Sequence, residues 1–190
     1  SFIDSFTQYS GTNAPKFIGL RNYIEMFTVD HEFWISARAT IIFVLMSLPL
    51  KLIFALFIAM LLNREMKGVN LFRTVFYIPS ILGGSVAVAI VWRMMFLKDG
   101  VVNSILSLFH IPPVGWLSEP TISLFTISLL TVWQFGSSMI IFLAGLKQIS
   151  KELYEAATMD GASKVRKFFV ITIPMLSPVI LFNLIMQMIN

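Results

Sequence analysis

From Ala39 onward the chain is dominated by four apolar runs, about 39–62, 74–96, 122–146 and 168–190. Each is long enough to cross a bilayer, because a helix rising about 1.5 Å per residue needs roughly 20 residues for a hydrocarbon core of about 30 Å. Residues of 57% hydrophobic type against 13% charged, with a mean hydropathy of +0.82, lie far outside the soluble range. The fold class expected is all-α, a polytopic bundle of transmembrane helices with four spans visible. Pro49 should kink the first run. Pro79, Gly83 and Gly84 in the second are tolerable where neighbouring helices re-satisfy the freed backbone groups.

The connections between the runs carry the charge. Those at 63–73 and 147–167 hold three and five Lys and Arg, whereas residues 1–33 and the connection at 97–120 hold two and one. That asymmetry puts 63–73 and 147–167 in the cytoplasm and residues 1–33 outside, and it accounts for the net charge of +4 as topology. No basic patch interleaved with aromatics points to nucleic acid. The absence of cysteine removes disulfides and thiolate metal sites. No P-loop pattern, no H-E-x-x-H and no Ser–His pair at membrane depth occurs. The chain is therefore expected to be no enzyme, to have no catalytic or metal-ligating residue, and to be powered from elsewhere. The segment 101–111, stopped by Pro112 and Pro113, is too short to span and reads as a helix at the surface or over the bundle.

The most informative connection is Ser150–Pro174, SKELYEAATMDGASKVRKFFVITIP. Ser150 suits an N-cap and Glu152 suits the first turn of a helix running from about Lys151 to Met159. On a helical wheel Leu153, Ala156, Ala157 and Met159 fall toward one side, with Lys151, Glu155 and Thr158 opposite. Gly161 supplies a left-handed residue that ends the helix, and a second helix can start at Ser163. Lys164, Arg166 and Lys167 have the wrong sign for a helix N-terminus, which the bias of basic residues to the cytoplasmic side explains. A helix this short needs something to dock against.

EAATMDGASKVRKFFVITIP fits the pattern E-A-A, three residues, G, nine residues, I-x-L-P, with Ile173 where Leu is usual. It closely resembles the inner-membrane permease subunits of binding-protein-dependent ABC importers. PKFIGLRNYIEMF, FRTVFYIP, IVWRMMF, WLSEP and VWQFGSSMIIFLAGLKQISKELYEAA resemble the carbohydrate and glycerophosphate permeases of that group. The resemblance implies a type I importer fold of six spans, of which these four are the second through fifth. It implies that 147–167 is a cytoplasmic coupling loop, with Glu155, Ala156, Ala157, Asp160 and Gly161 contacting an ATPase subunit. The partners it implies are a second, homologous permease, two ATPase subunits that bind the ATP so that this chain carries no cofactor, an external or periplasmic solute-binding protein, and membrane lipid in a bacterial or archaeal cell membrane.

For a solute path the polar and aromatic residues at membrane depth are Trp133, Gln134, Ser137, Ser138, Asn183 and Gln187. Ser, Asn and Gln in spans also tie helices together, so both readings stand for each. Arg93 reads as snorkelling to the outer interface, with an anion-binding role as the sharper alternative, and the same pair of readings applies to Arg38; Lys51 reads as pairing with a helix outside this sequence. The function expected is a sugar or oligosaccharide permease subunit that couples ATP hydrolysis in its partners to alternating access. The alternatives are a permease for another solute such as a glycerophosphate or polyol, and a membrane scaffold or channel that recruits a cytoplasmic partner.

Overall fold

A computed structural model describes residues 2–8, 16–64 and 67–189. Its contacts divide the chain into two compact units, Ser1–Ile42 and Phe43–Asn190.

In the first unit a 3-10 turn, Asp4–Phe6, leads into a small antiparallel pair, β1 (Thr7–Gln8) and β2 (Lys16–Phe17), with Thr7 opposite Phe17. Helix α1 (Arg21–Thr28) follows. Asn22 fastens it to the turn by donating to the carbonyls of Ser5 and Thr7 at 2.8 and 3.2 Å, and Tyr23 shares a 2.7 Å hydrogen bond with Ser5. Asp30 Oδ1 accepts from the Phe33 amide at 3.1 Å at the start of α2 (His31–Leu62), as a capping carboxylate does. The described residues of the segment at 1–33, placed outside by its low count of Lys and Arg, thus hold a hydrogen-bonded antiparallel pair and a helix. Gly11 and Pro15 lie outside the described residues.

The second unit is built from the later part of α2 and from α3 (Val69–Leu82), α4 (Val86–Met95), α5 (Val101–Leu108), α6 (Pro120–Trp133), α7 (Gly136–Gln148), α8 (Lys151–Met159), α9 (Lys164–Lys167) and α10 (Ile173–Ile189). Its core is a stripe on α2, Leu52, Ala55, Ile58, Ala59 and Leu62, closed by Phe135, Met139, Phe142 and Leu146 around α7 and by Leu176 of α10. The stripes recur at three and four residues, as helix–helix contact requires. Between lipid-embedded helices water exclusion contributes little, so close approach decides the packing. Ala55 and Ala59 are fully buried, and a Cβ on Gly136 would lie 2.5 Å from the Phe76 carbonyl and 2.8 Å from Tyr77 Cα on α3. The outward faces stay apolar, with Ile53 and Phe57 of α2 exposed, a surface that suits lipid.

Two helices, His31–Leu62 and Lys164–Ile189, are each long and apolar enough to cross a membrane, and counting each bent pair as one span raises the number to four. Two of the runs read as single spans each contain a bend. The run read as 74–96 is α3 and α4, bent by 97°. Gly83 and Gly84 interrupt the helix there, and Ser85 caps the next one by accepting from the Val88 amide at 3.3 Å. The run read as 122–146 is α6 and α7, bent by 49° at Gln134–Phe135. In the last run a π-helical turn, Phe168–Thr172, precedes α10; a widened turn makes room for the Pro174 ring, which would otherwise meet the carbonyl four residues back. By contrast α2 runs unbroken through Pro49, so the expected kink does not divide it.

The short helix at 101–111 is α5, and one residue explains the ordered connection around it. Asn103, buried, donates to the carbonyls of Lys98 and Val114 at 3.0 Å and accepts from the Val114 amide and Trp116 Nε1 at 3.0 Å.

Candidate functional site

The elbow between α7 and α10 is locally specified at every joint. Ser150 Oγ accepts from the Glu152 amide at 3.2 Å and starts α8. At the other end Gly161 adopts φ +75°, the Ala162 amide donates to the Ala157 carbonyl at 2.9 Å, and the Gly161 amide donates to Thr158 at 3.0 Å. Those two bonds form a Schellman cap, for which a left-handed residue is required. Ser163 Oγ then accepts from the Arg166 amide at 3.2 Å and starts α9.

Two side-chain bonds hold the elbow against the root of α10. Tyr154 Oη and Thr172 Oγ1 share a hydrogen bond of 2.8 Å, and Lys167 Nζ donates to Thr158 Oγ1 at 2.9 Å. Tyr154 and Ala157 are the half-buried residues of α8, whereas Glu155, Ala156, Asp160 and Gly161 are exposed. Leu153 and Met159, expected to share a face with Ala157, point outward, Met159 being 88% exposed. The face turned toward its own chain is thus narrower than the wheel suggested, and it is anchored by Tyr154, which the charge pattern did not single out. Its signal in the sequence is weak, since the partner Thr172 lies eighteen residues away.

The six residues expected along a solute path separate into different environments. Trp133, 37% exposed, lines a pocket of about 320 Å³ together with Trp92, Val91 and Met95. The two indoles lie 6.4 Å apart at 37°, and Trp92 Nε1 donates to the Thr126 carbonyl at 3.2 Å. Gln134 Nε2 donates to the Gly83 carbonyl at 3.2 Å. Ser137 is half buried. Ser138 and Asn183 are fully buried, and Ser138 Oγ and both amide atoms of Asn183 have no partner among the described residues. Gln187 Oε1 accepts from Lys51 Nζ at 2.6 Å, which corrects the expectation that Lys51 pairs outside this sequence. The structure thus gives two of the six a helix-tying bond and sets Trp133 at an open pocket. Arg38 and Arg93 are both exposed.

Residues 37–190 match the family described as the binding-protein-dependent transport system inner membrane component. The chain is 54% identical over 191 residues, all of this chain and 62% of the relative, to the probable ABC transporter permease protein YesP of Bacillus subtilis (strain 168). It is 38% identical over 176 residues, 92% of this chain and 59% of the relative, to the trehalose/maltose transport system permease protein MalF of Thermococcus litoralis. It therefore spans about three fifths of the length of these curated relatives, at 62% and 59%. Among solved structures, a bacterial ABC transporter involved in the import of the acidic polysaccharide alginate shares the fold with a TM-score of 0.78 at 23% identity, over 97% of this chain and 63% of that one. The complex of a bacterial alginate ABC transporter with its alginate pentasaccharide-bound periplasmic protein gives a TM-score of 0.75 at 26% identity, over 86% of this chain and 57% of that one. With its helices, its capped elbow and a match over residues 37–190, the chain is a membrane protein that belongs to the family of binding-protein-dependent transport system inner membrane components.

Proposed function

We propose that this chain forms the core of a permease subunit in an ATP-driven, binding-protein-dependent importer of a sugar or oligosaccharide. The residues 147–167 face the cytoplasm of a bacterial or archaeal cell, and the elbow is the handle through which a separate ATPase acts. The subunit pairs with a second, similar permease, two ATPases and an external solute-binding protein, and ATP is bound by the ATPases alone.

The observation that carries this reading is the elbow itself. A nine-residue helix in isolation is well below the length that is stable in water, yet α8 is capped at both ends and offers Leu153, Glu155, Ala156 and Met159 outward. That outward face suits a groove on a partner. The Tyr154–Thr172 and Lys167–Thr158 bonds make a push on α8 a push on the π turn at the root of α10. Breaks at Gly83–Ser85 and Gln134–Phe135 are natural hinges for rocking between inward-facing and outward-facing states.

The sugar class is supported by relatives named as trehalose/maltose and lactose transport permeases. It is also supported by the open indole face of Trp133 beside Trp92, since an apolar sugar face stacks on an aromatic one while its hydroxyls bond to neighbours. Binding-protein-stimulated ATP hydrolysis by the full reconstituted complex tests the reading. Gly161→Pro, which cannot adopt φ +75°, and Glu155→Lys are expected to abolish the stimulation while the subunit stays in the membrane. Wild-type stimulation in both variants overturns it.

A further inference from the structure

We infer that α1 is an interfacial anchor: its apolar ridge, Leu20, Ile24 and Phe27, lies in the headgroup and upper acyl region of the bilayer, beside the point where α2 enters it. Spacings of four and three residues set this ridge along one stripe of the helix, and its members are 60%, 60% and 50% exposed. The neighbouring stripe is charged, with Arg21 Nε donating to Glu25 Oε1 at 2.8 Å. The remaining side faces its own chain, through half-buried Tyr23 and Met26 and through the bonds of Asn22 to the Ser5 and Thr7 carbonyls. Apolar surface of that extent on an eight-residue helix marks a contact site, and an apolar stripe beside a charged one fits the plane of a membrane interface.

Trp34 selects lipid as the occupant. It stands in the first turn of α2, a helix long and apolar enough to cross the membrane. Trp34 Nε1 donates to the Phe27 carbonyl at 3.1 Å, and the Phe27 ring lies 5.4 Å from that of Phe33 and 6.1 Å from that of Trp34. The far end of the ridge is therefore fastened to the start of α2. With its N–H satisfied and its ring 53% exposed, Trp34 is the amphipathic group that collects at a membrane–water boundary. Ile41, seven residues on and on the same face of α2, is exposed as well. A ridge continuous with a lipid-facing helix surface is covered by lipid, not by a soluble protein.

The hold is apolar and not electrostatic. Residues 16–38 carry three basic side chains, Lys16, Arg21 and Arg38, against three acidic ones, Glu25, Asp30 and Glu32, so no cationic face draws the segment to anionic lipid. Arg38, exposed one turn beyond Trp34, has the stem length to return its charge to the headgroups. The inference needs only that α2 crosses the bilayer and takes nothing from the importer reading.

The test reconstitutes the full-length permease in its membrane complex with a phospholipid carrying a diazirine near the top of its acyl chain, and reads the photolabelled peptides by mass spectrometry. The peptide holding Leu20–Thr28 is expected to be labelled, equally in phosphatidylcholine and in phosphatidylglycerol vesicles. Spin labels then assign the face, in a protein with any other cysteine replaced. At Ile24→Cys and Leu20→Cys oxygen should relax the label more than a water-soluble nickel chelate does, at a depth of about 5–10 Å, and at Glu25→Cys the chelate should prevail. If a spin-labelled variant does not assemble, the photolabel decides, because it needs no substitution. An unlabelled Leu20–Thr28 peptide, or a chelate-accessible label at position 24, overturns the anchor. A label there that neither reagent reaches shows the ridge to be covered by protein, whether by residues 9–15, which lie outside the described residues, by a span beyond this chain or by a soluble partner, and overturns it too. Photolabelling that requires phosphatidylglycerol overturns the apolar hold. Both readouts are made without ATP hydrolysis, so failure here is distinguishable from failure of the importer reading.

Discussion

Gln134 Nε2 donates to the Gly83 carbonyl at 3.2 Å, so the break between α6 and α7 is bonded to the break between α3 and α4. Each break frees backbone groups that the bilayer cannot solvate, and here a side chain from one supplies the donor for the other. Gln134→Leu is expected to leave that carbonyl unpaired and to destabilise the subunit by about 1–3 kcal/mol, read as a lower midpoint of thermal unfolding in detergent. Gly83→Ala should do the same, since a Cβ there would overlap the Gln134 side chain. Unchanged midpoints would mean that the two breaks are independent.

A second tie joins α2 to α10, with Lys51, buried, donating to Gln187 at 2.6 Å. Removing the acceptor is expected to be worse than removing the cation, because an ammonium without a partner in a buried site is the costlier remnant. Gln187→Leu should therefore destabilise by about 3 kcal/mol and Lys51→Met by less, with the double variant recovering part of the loss. A double-mutant cycle measures the coupling, expected at about 0.5–3 kcal/mol; additive effects would contradict a direct bond.

Tyr154→Phe removes the elbow's bond to Thr172 and keeps the ring. The loss should be about 0.5–1.5 kcal/mol and local, so hydrogen exchange at the amides of α8 should quicken while the α2 and α7 core keeps its protection. Uniform change across the subunit would show that the bond has no special hold on the elbow.

Trp133→Ala should raise the half-saturating solute concentration for transport by about 2- to 10-fold, the range expected for losing one aromatic face, and Trp133→Phe should retain most of the function. If Trp133→Ala transports like the wild type, the open indole face takes no part in the solute path.

Ser138 Oγ is buried without a partner among the described residues, and Ser138→Ala removes it with little change of volume. The expected outcome is an equal or higher unfolding midpoint, because an unpaired buried hydroxyl is destabilising. A drop would reveal a partner contributed by the rest of the assembly.

What was legible in the sequence follows the range of the interaction. Ser150 and Ser163 accept from amides two and three residues on, and the Gly161 amide donates to a carbonyl three residues back, so α8, its end and the start of α9 are readable from residue type and spacing alone. Apolar runs of the right length are readable for the same reason. The bends are harder, because Gly83, Gly84 and Ser85 are compatible both with a tolerated span interior and with a stop followed by a cap. Tyr154–Thr172, Gln134–Gly83 and Lys51–Gln187 are separated by 18, 51 and 136 residues, and no local pattern distinguishes a glutamine that ties helices from one that meets a solute. Asn103 carries no local signal on the same ground: its carbonyl partners come together only once the connection folds around it.

The most direct measurement is cross-linking from Met159→Cys, in a full-length protein with any other cysteine replaced, in intact cells, at a site 88% exposed on the elbow. The account predicts a covalent product with the nucleotide-hydrolysing subunit and no reaction with a membrane-impermeant thiol reagent supplied from outside. Labelling of that cysteine by the external reagent would contradict it.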